Sequence, residues 1–259
     1  MDGVLSQEEI NALLNNNDSS GNDGEILTEA EKDAIGEIAN ISMGTAATTL
    51  FSLVNRRVEI STPVVSFSNW DEIVDEYEKP CVFIKIGYTQ GLNGSNILVL
   101  REKDVKIITD LMMGGDGTNI DGEIGELHLS AISEAMNQMM GSAATSLSSM
   151  LNCTIDISPP VAEVVDLKNT LNEGEIDSFL SDQFVKISFR MEIGDLVDSE
   201  IMQLYPPEFV KQMCKGVTEN MELDTENVRE EPTPAPANTA QADPTQTAVP
   251  QQTPNNVNT

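Results

Sequence analysis

One stretch of this chain is written twice. DAIGEIANISMGTAATTLFSLVNRRVEISTPVV (33–65) aligns without a gap on SAISEAMNQMMGSAATSLSSMLNCTIDISPPVA (130–162), and about half of the aligned positions are identical. An internal duplication is the simplest account, and it makes the fold two copies of one unit. Each copy has the same order of patterns. A long helix comes first, over about 29–54 and about 126–151. A β-rich stretch follows (VEISTPVVSFS; TIDISPPVAEVV), then a strand (CVFIKIGY; FVKISFRMEI), a short turn, another strand (SNILVLR; SEIMQLY) and a closing helix (EKDVKIITDLMMG; PPEFVKQMCKG). The short turns predict antiparallel pairing. The expected class is α/β (α+β). Two helix-strand-strand-strand-helix units share one antiparallel sheet about a pseudo-two-fold axis.

Outside the repeats the chain reads differently. The expected organisation is a short amino-terminal peptide (1–17), a polar linker (18–26), the duplicated domain (27–217, with copies over about 27–117 and 122–217) and a tail (218–259). The tail is acidic first and then rich in Pro, Thr, Ala, Gln and Asn, a composition that cannot bury a core and predicts disorder. The Gly- and Asp-rich segment MMGGDGTNIDGEIGE lacks the lysine and spacing of a phosphate loop and reads as the crossover between copies.

The chain has 259 residues and a formal net charge of -29. Such a surface repels nucleic acid and argues against a polybasic membrane contact. Its expected partners are proteins. No apolar run is long enough for a bilayer and no signal peptide opens the chain, so a cytoplasmic location is expected. Cys81, Cys153 and Cys214 are far apart and read as small buried thiols rather than a disulfide or zinc site. With His128 as the one histidine, Ser-His-Asp and Cys-His chemistry is nearly excluded.

The long helices carry the functional signal. At 100° per residue, Ile35, Ala39, Met43, Ala46, Leu50 and Leu53 gather on one side of the first, and Ile132, Met136, Met140, Ala143, Leu147 and Met150 on one side of the second. Asp33, Glu37, Asn40 and Gly44 gather opposite the first stripe, and Ser130, Glu134, Asn137 and Gly141 opposite the second. Solvation alone accounts for most exposed Glu and Asn residues. Here Asn disfavours a helix interior, each Gly costs about 1 kcal/mol against Ala, and both copies keep the register. A carboxylate and an amide on a flat helical face suit docking onto a partner and orienting one water. They do not make a self-contained pocket.

The pattern is Asp or Ser, three residues, Glu, two residues, Asn, twenty-two residues, Pro. Asp33, Glu37, Asn40 and Pro63 meet it once, and Ser130, Glu134, Asn137 and Pro160 meet it again. It resembles the signature of the CheC, CheX and FliY phosphatases of bacterial chemotaxis over about Leu27 to Val217, and within that family FliY most. The resemblance implies a CheC-like fold and hydrolysis of the aspartyl phosphate on the response regulator CheY. It implies that Asn40 and Asn137 position the attacking water and that Glu37 and Glu134 pair with the regulator's active-site lysine. Asp33 and Ser130 are then expected to support the helix start or the docking rim, and Pro63 and Pro160 to fix the backbone. No cofactor of the chain's own is expected; magnesium is expected on CheY.

LSQEEINALL has a capping box in Ser6 and Glu9 and a staple in Leu5 and Ile10. Ile10, Leu13 and Leu14 make a narrow apolar stripe. Ahead of a polar linker this predicts a tethered helix that folds in a partner's groove. It resembles the CheY-binding peptide that opens FliM and FliY, the flagellar switch proteins. FliM, FliG and FliN types are therefore expected partners at the cytoplasmic face of the flagellar basal body. FliY carries a FliN-like domain after such a linker, and the sequence here is expected to lack it. The rival reading is a non-catalytic switch scaffold that only senses phosphorylated CheY.

Overall fold

The computed structural model describes residues 26–76, 80–167, 174 and 176–217. The expected CheY-binding peptide (Leu5, Ser6, Glu9, Ile10, Leu13, Leu14), most of the linker and the tail lie outside the described residues.

The first copy contains α1 (Glu29–Val54), β1 (Val58–Ile60), β2 (Val64–Ser68), α2 (Trp70–Glu76), β3 (Cys81–Gln90), β4 (Gly94–Arg101) and α3 (Glu102–Met112). The second contains α4 (Glu126–Leu151), β5 (Asp156–Ile157), β6 (Val161–Val165), a 3-10 turn (Ser178–Ser181), β7 (Phe184–Ile193), β8 (Val197–Tyr205) and α5 (207–217). The duplicated class holds, with one sheet of eight antiparallel strands. The two long helices fall where the apolar period places them. Each begins at a cap. Thr28 accepts from the Glu31 N–H at 3.2 Å while Glu31 accepts from the Thr28 N–H at 2.8 Å. At α4 the His128 ring Nδ1 accepts from the Gly125 N–H at 3.2 Å, which gives His128 a capping role. Each ends at an asparagine in the left-handed region, Asn55 (φ 49) and Asn152 (φ 48), where Asn is tolerated better than other side chains.

The two copies share the sheet, as expected, and its pairing crosses between them. The order is β1-β7-β8-β4-β3-β5, with β2 also on β7 and β6 also on β3. The outer strands of copy one therefore pair with the hairpin of copy two, and the reverse. Val64 faces Ser188 on β7, and its equivalent Val161 faces Lys85 on β3. In the middle, β4 and β8 meet across the pseudo-axis beside Val99 and Met202.

α1 and α4 lie side by side and antiparallel over one sheet face. Thr45 shares a 2.8 Å hydroxyl contact with Ser146, and Thr49 donates to Ser142 at 2.8 Å. Thr45 and Ser142 are equivalent positions, as are Thr49 and Ser146, so exchanging the copies exchanges the two bonds. The helices bury Ile35, Ala39, Met43, Ala46, Leu50, Ile132, Met136, Met140, Ala143 and Leu147 against the sheet and against α3 and α5. A smaller apolar cluster fills the opposite sheet face, where Trp70, Ile73 and Leu180 cover Phe83, Ile97, Val99 and Met202. Its covering elements, α2 and the 3-10 turn, were not expected. Their signal is local capping: Asn69 accepts from the Glu72 N–H at 3.0 Å and Asp177 caps the 3-10 turn. Cys81 and Cys214 are buried as expected, whereas Cys153 follows the α4 cap and is exposed.

Candidate functional site

The bare helix faces are where the wheel places them. Asp33, Glu37 and Gly44 are exposed on α1, and Ser130 and Glu134 on α4; Asn40 and Asn137 are half-buried at the flank of each face. Neither asparagine amide has a hydrogen-bond partner among the described residues, and neither does the Glu37 carboxylate. Glu134 accepts one bond, from Gln138 Nε2 at 2.7 Å. No atom would crowd a β-carbon at Gly44 or Gly141, so both faces are open to close approach. Asp33 and Ser130 make no cap bond, since Thr28 and His128 hold those ends. Both stay exposed on the same helix faces as the motif.

The two faces are separate. The crossing is centred near residues 47 and 144. Asn40 and Asn137 precede those points on antiparallel helices, which puts them on the order of 20 Å apart at 1.5 Å per residue. One small phosphoryl group cannot touch both.

Pro63 and Pro160 sit where each outer strand breaks in two, between β1 and β2 and between β5 and β6. A proline cannot donate to a sheet ladder, and an edge break is where it is tolerated. Two serines that the sequence reading passed over bridge the break. The Ser61 N–H donates to the Arg190 carbonyl at 2.9 Å, and its Oγ accepts from the Arg190 N–H at 3.0 Å. The Ser158 N–H donates to the Gly87 carbonyl at 2.8 Å, and its Oγ accepts from the Gly87 N–H at 3.2 Å. One residue thus makes both ladder bonds. Serine two before each motif proline was the available signal. Pro63 is half-buried and Pro160 buried, which fits backbone fixing rather than contact with a substrate.

The α1 face offers two carboxylates, Asp33 and Glu37, and one amide, and the α4 face one of each. Among the described residues no group of three or more His, Cys, Asp or Glu side chains could hold a metal. Among them, too, no helix is long and apolar enough to cross a membrane.

Comparison with known proteins meets this geometry at the same places. A model of the CheC-like family matches residues 31–67 and 127–164, one match for each helix with its outer strand. The crystal structure of Thermotoga maritima FliY superposes with a TM-score of 0.69 at 41% identity, covering 75% of this chain and 99% of that one. The chain belongs to the CheC-like family. Among curated CheC-like relatives, the flagellar motor switch phosphatase FliY of Bacillus subtilis is 46% identical over 237 residues, which is 90% of this chain and 61% of that protein. The chain thus spans about three fifths of that relative's length. The CheY-P phosphatase CheC of Bacillus subtilis is 26% identical over 143 residues, 53% of this chain and 67% of that protein.

Proposed function

We propose that this chain is a flagellar switch and chemotaxis phosphatase that docks phosphorylated CheY on α1 or α4 and speeds hydrolysis of its aspartyl phosphate. The observation that carries the reading is the pair of open faces, each with an unbonded Asn amide one turn from a Glu. Two CheC-like relatives are named as phosphatases, and one of them as a motor switch protein.

The chemistry needs little from this side. Hydrolysis of an acyl phosphate requires a water in line with the leaving oxygen and neutralisation of the phosphoryl charge. CheY supplies the magnesium and a lysine for the charge. Asn40 or Asn137 supplies an amide that can hold the water by its carbonyl and steady the phosphoryl oxygens by its NH₂. Glu37 or Glu134 pairs with the lysine and sets the register. The half-burial of each asparagine limits its rotamers, so the amide is aimed before docking. The amino-terminal peptide captures the regulator, and the linker presents it at an effective concentration of roughly mM. The setting is the cytoplasm beside the switch, with FliM-, FliG- and FliN-type neighbours.

The test is the decay of phosphorylated CheY with magnesium present, with and without the purified chain. Faster decay that saturates with the regulator is expected. Unchanged decay at saturating chain, with binding retained, would leave the non-catalytic sensor.

A further inference from the structure

The two motif faces differ in what surrounds the motif. Along α1, Glu37, Ile41, Gly44, Thr48 and Phe51 fall within an arc of about 80° and form one exposed ridge. Ile41, 43% exposed, lies one turn beyond Glu37; Phe51, 48% exposed, lies about four turns beyond it, and on α4 Leu127, 63% exposed, lies about two turns before Glu134. The positions on α4 equivalent to Ile41 and Phe51 are Gln138 and Ser148. Gln138 folds back onto Glu134 at 2.7 Å. Ser148 turns inward, donating to the Ala144 carbonyl at 2.8 Å and accepting from the Ile155 N–H at 2.9 Å. The residues after the two prolines do not distinguish the faces, since Val64 and Val161 are 65% and 66% exposed.

We infer that Ile41 makes the α1 face the tighter docking site for the phosphorylated regulator, and that Gln138 makes the α4 face the weaker one. This rests on the proposed phosphatase function. Ile41 lies one turn beyond Glu37, so a partner whose lysine reaches that carboxylate also covers Ile41. Gly44 leaves no side chain to hold the partner off. Covering an isoleucine to the extent that it is now exposed corresponds to about tenfold in affinity. On α4 the regulator meets an amide that needs no burial, and its lysine must share Glu134 with Gln138. An exposed pair of that kind is weak on a helix, so the side chain one turn beyond each carboxylate decides the order, Leu127 lying about 10 Å from Glu134 on the far side of Ser130. The water-positioning amide is the same on both faces. The difference therefore belongs to KM and not to kcat.

The experiment isolates each face in the full chain. Asn137→Ala leaves α1 working and Asn40→Ala leaves α4 working, with the peptide common to both. The α1-only chain is expected to show a KM for phosphorylated CheY about tenfold below that of the α4-only chain. Adding Ile41→Gln to the α1-only chain should raise KM by about that factor with kcat retained. Adding Gln138→Ile to the α4-only chain should lower KM. Binding of beryllofluoride-activated CheY is measured on the same variants, and thermal unfolding checks that each is folded. Equal KM values for the two faces, or a KM insensitive to residue 41 in folded protein, would overturn the inference. If no variant hydrolyses CheY-P but Ile41→Gln still weakens beryllofluoride-CheY binding, the phosphatase reading fails while the docking asymmetry stands.

Discussion

Asn40 and Asn137 carry the sharpest prediction at the residue scale. Replacing either by Ala removes an amide that bonds nothing within the fold. It also introduces a better helix former, so stability should stay within about 0.5 kcal/mol of the parent. Each single variant is expected to keep one working face. The double variant should let phosphorylated CheY decay at its own rate while still binding it, read by phosphoryl loss and by titration. Full activity in the double variant would remove the water-positioning role. Cysteine reactivity is a second residue-scale outcome. Burial pushes the Cys81 thiol up to about 12 and the Cys214 thiol up to about 11, and it also blocks reagent access. At pH 8 an aromatic disulfide reagent should label one thiol quickly, Cys153, and the other two only on unfolding. The placement of Glu37 and Asn40 was legible because the helical period alone sets which side of a helix they occupy. Ile41 was in view on the same wheel. Its meaning was not, because exposure at that position depends on where α4 crosses.

The α1 and α4 caps, at the scale of the element, show what local chemistry does for the faces. Asn55 and Asn152 hold positive φ at the two C-termini. Asn55→Ala removes the short polar side chain that makes that region tolerable and should cost about 1 kcal/mol, whereas Asn55→Gly, with no β-carbon, should be near neutral. Chemical denaturation of the two variants measures the difference, and equal midpoints would mean that the turn relaxes. Ser61 and Ser158 make a related case. Alanine at either position leaves the backbone N–H of Arg190 or Gly87 without its acceptor. Each substitution should cost about 1–2 kcal/mol and loosen the outer strand at its motif proline. Hydrogen exchange at the two N–H groups reports it directly. The long helices were easy to foresee because twenty-six residues of consistent period leave no rival. α2 was missed because seven residues carry too little period, and the one strong signal was the Asn69 and Glu72 box.

For the whole molecule, the crossed outer strands make the two copies one folding unit. Thermal unfolding is expected to show a single transition. Residues 26–121 expressed alone should be unfolded or aggregated, because the β3–β4 hairpin then lacks β5 and β6 on one side and β8 on the other. Mixing that fragment with residues 122–217 should restore the circular dichroism of the parent. Independent folding of either fragment would contradict the interlock. This part of the architecture was illegible beforehand for a definite reason. Val64 alternates with its neighbours in the same way whether it faces β3 or β7, so the hydrophobic period sets the face of a strand and not its partner.

The exchange of outer strands also speaks to history. Gly91 turns the β3–β4 hairpin in the left-handed region, and a β-carbon there would strike the Thr154 carbonyl of the other copy. A lone ancestral repeat with this geometry would have presented the same hairpin to a second molecule and lent it its own first strands. Such a protein is a strand-swapped homodimer, and gene duplication with fusion would have changed its connectivity without changing its contacts. Fusion then freed the two halves to diverge. A homodimer must carry the same side chain at position 41 in both subunits, whereas a fused chain can hold isoleucine in one half and glutamine in the other.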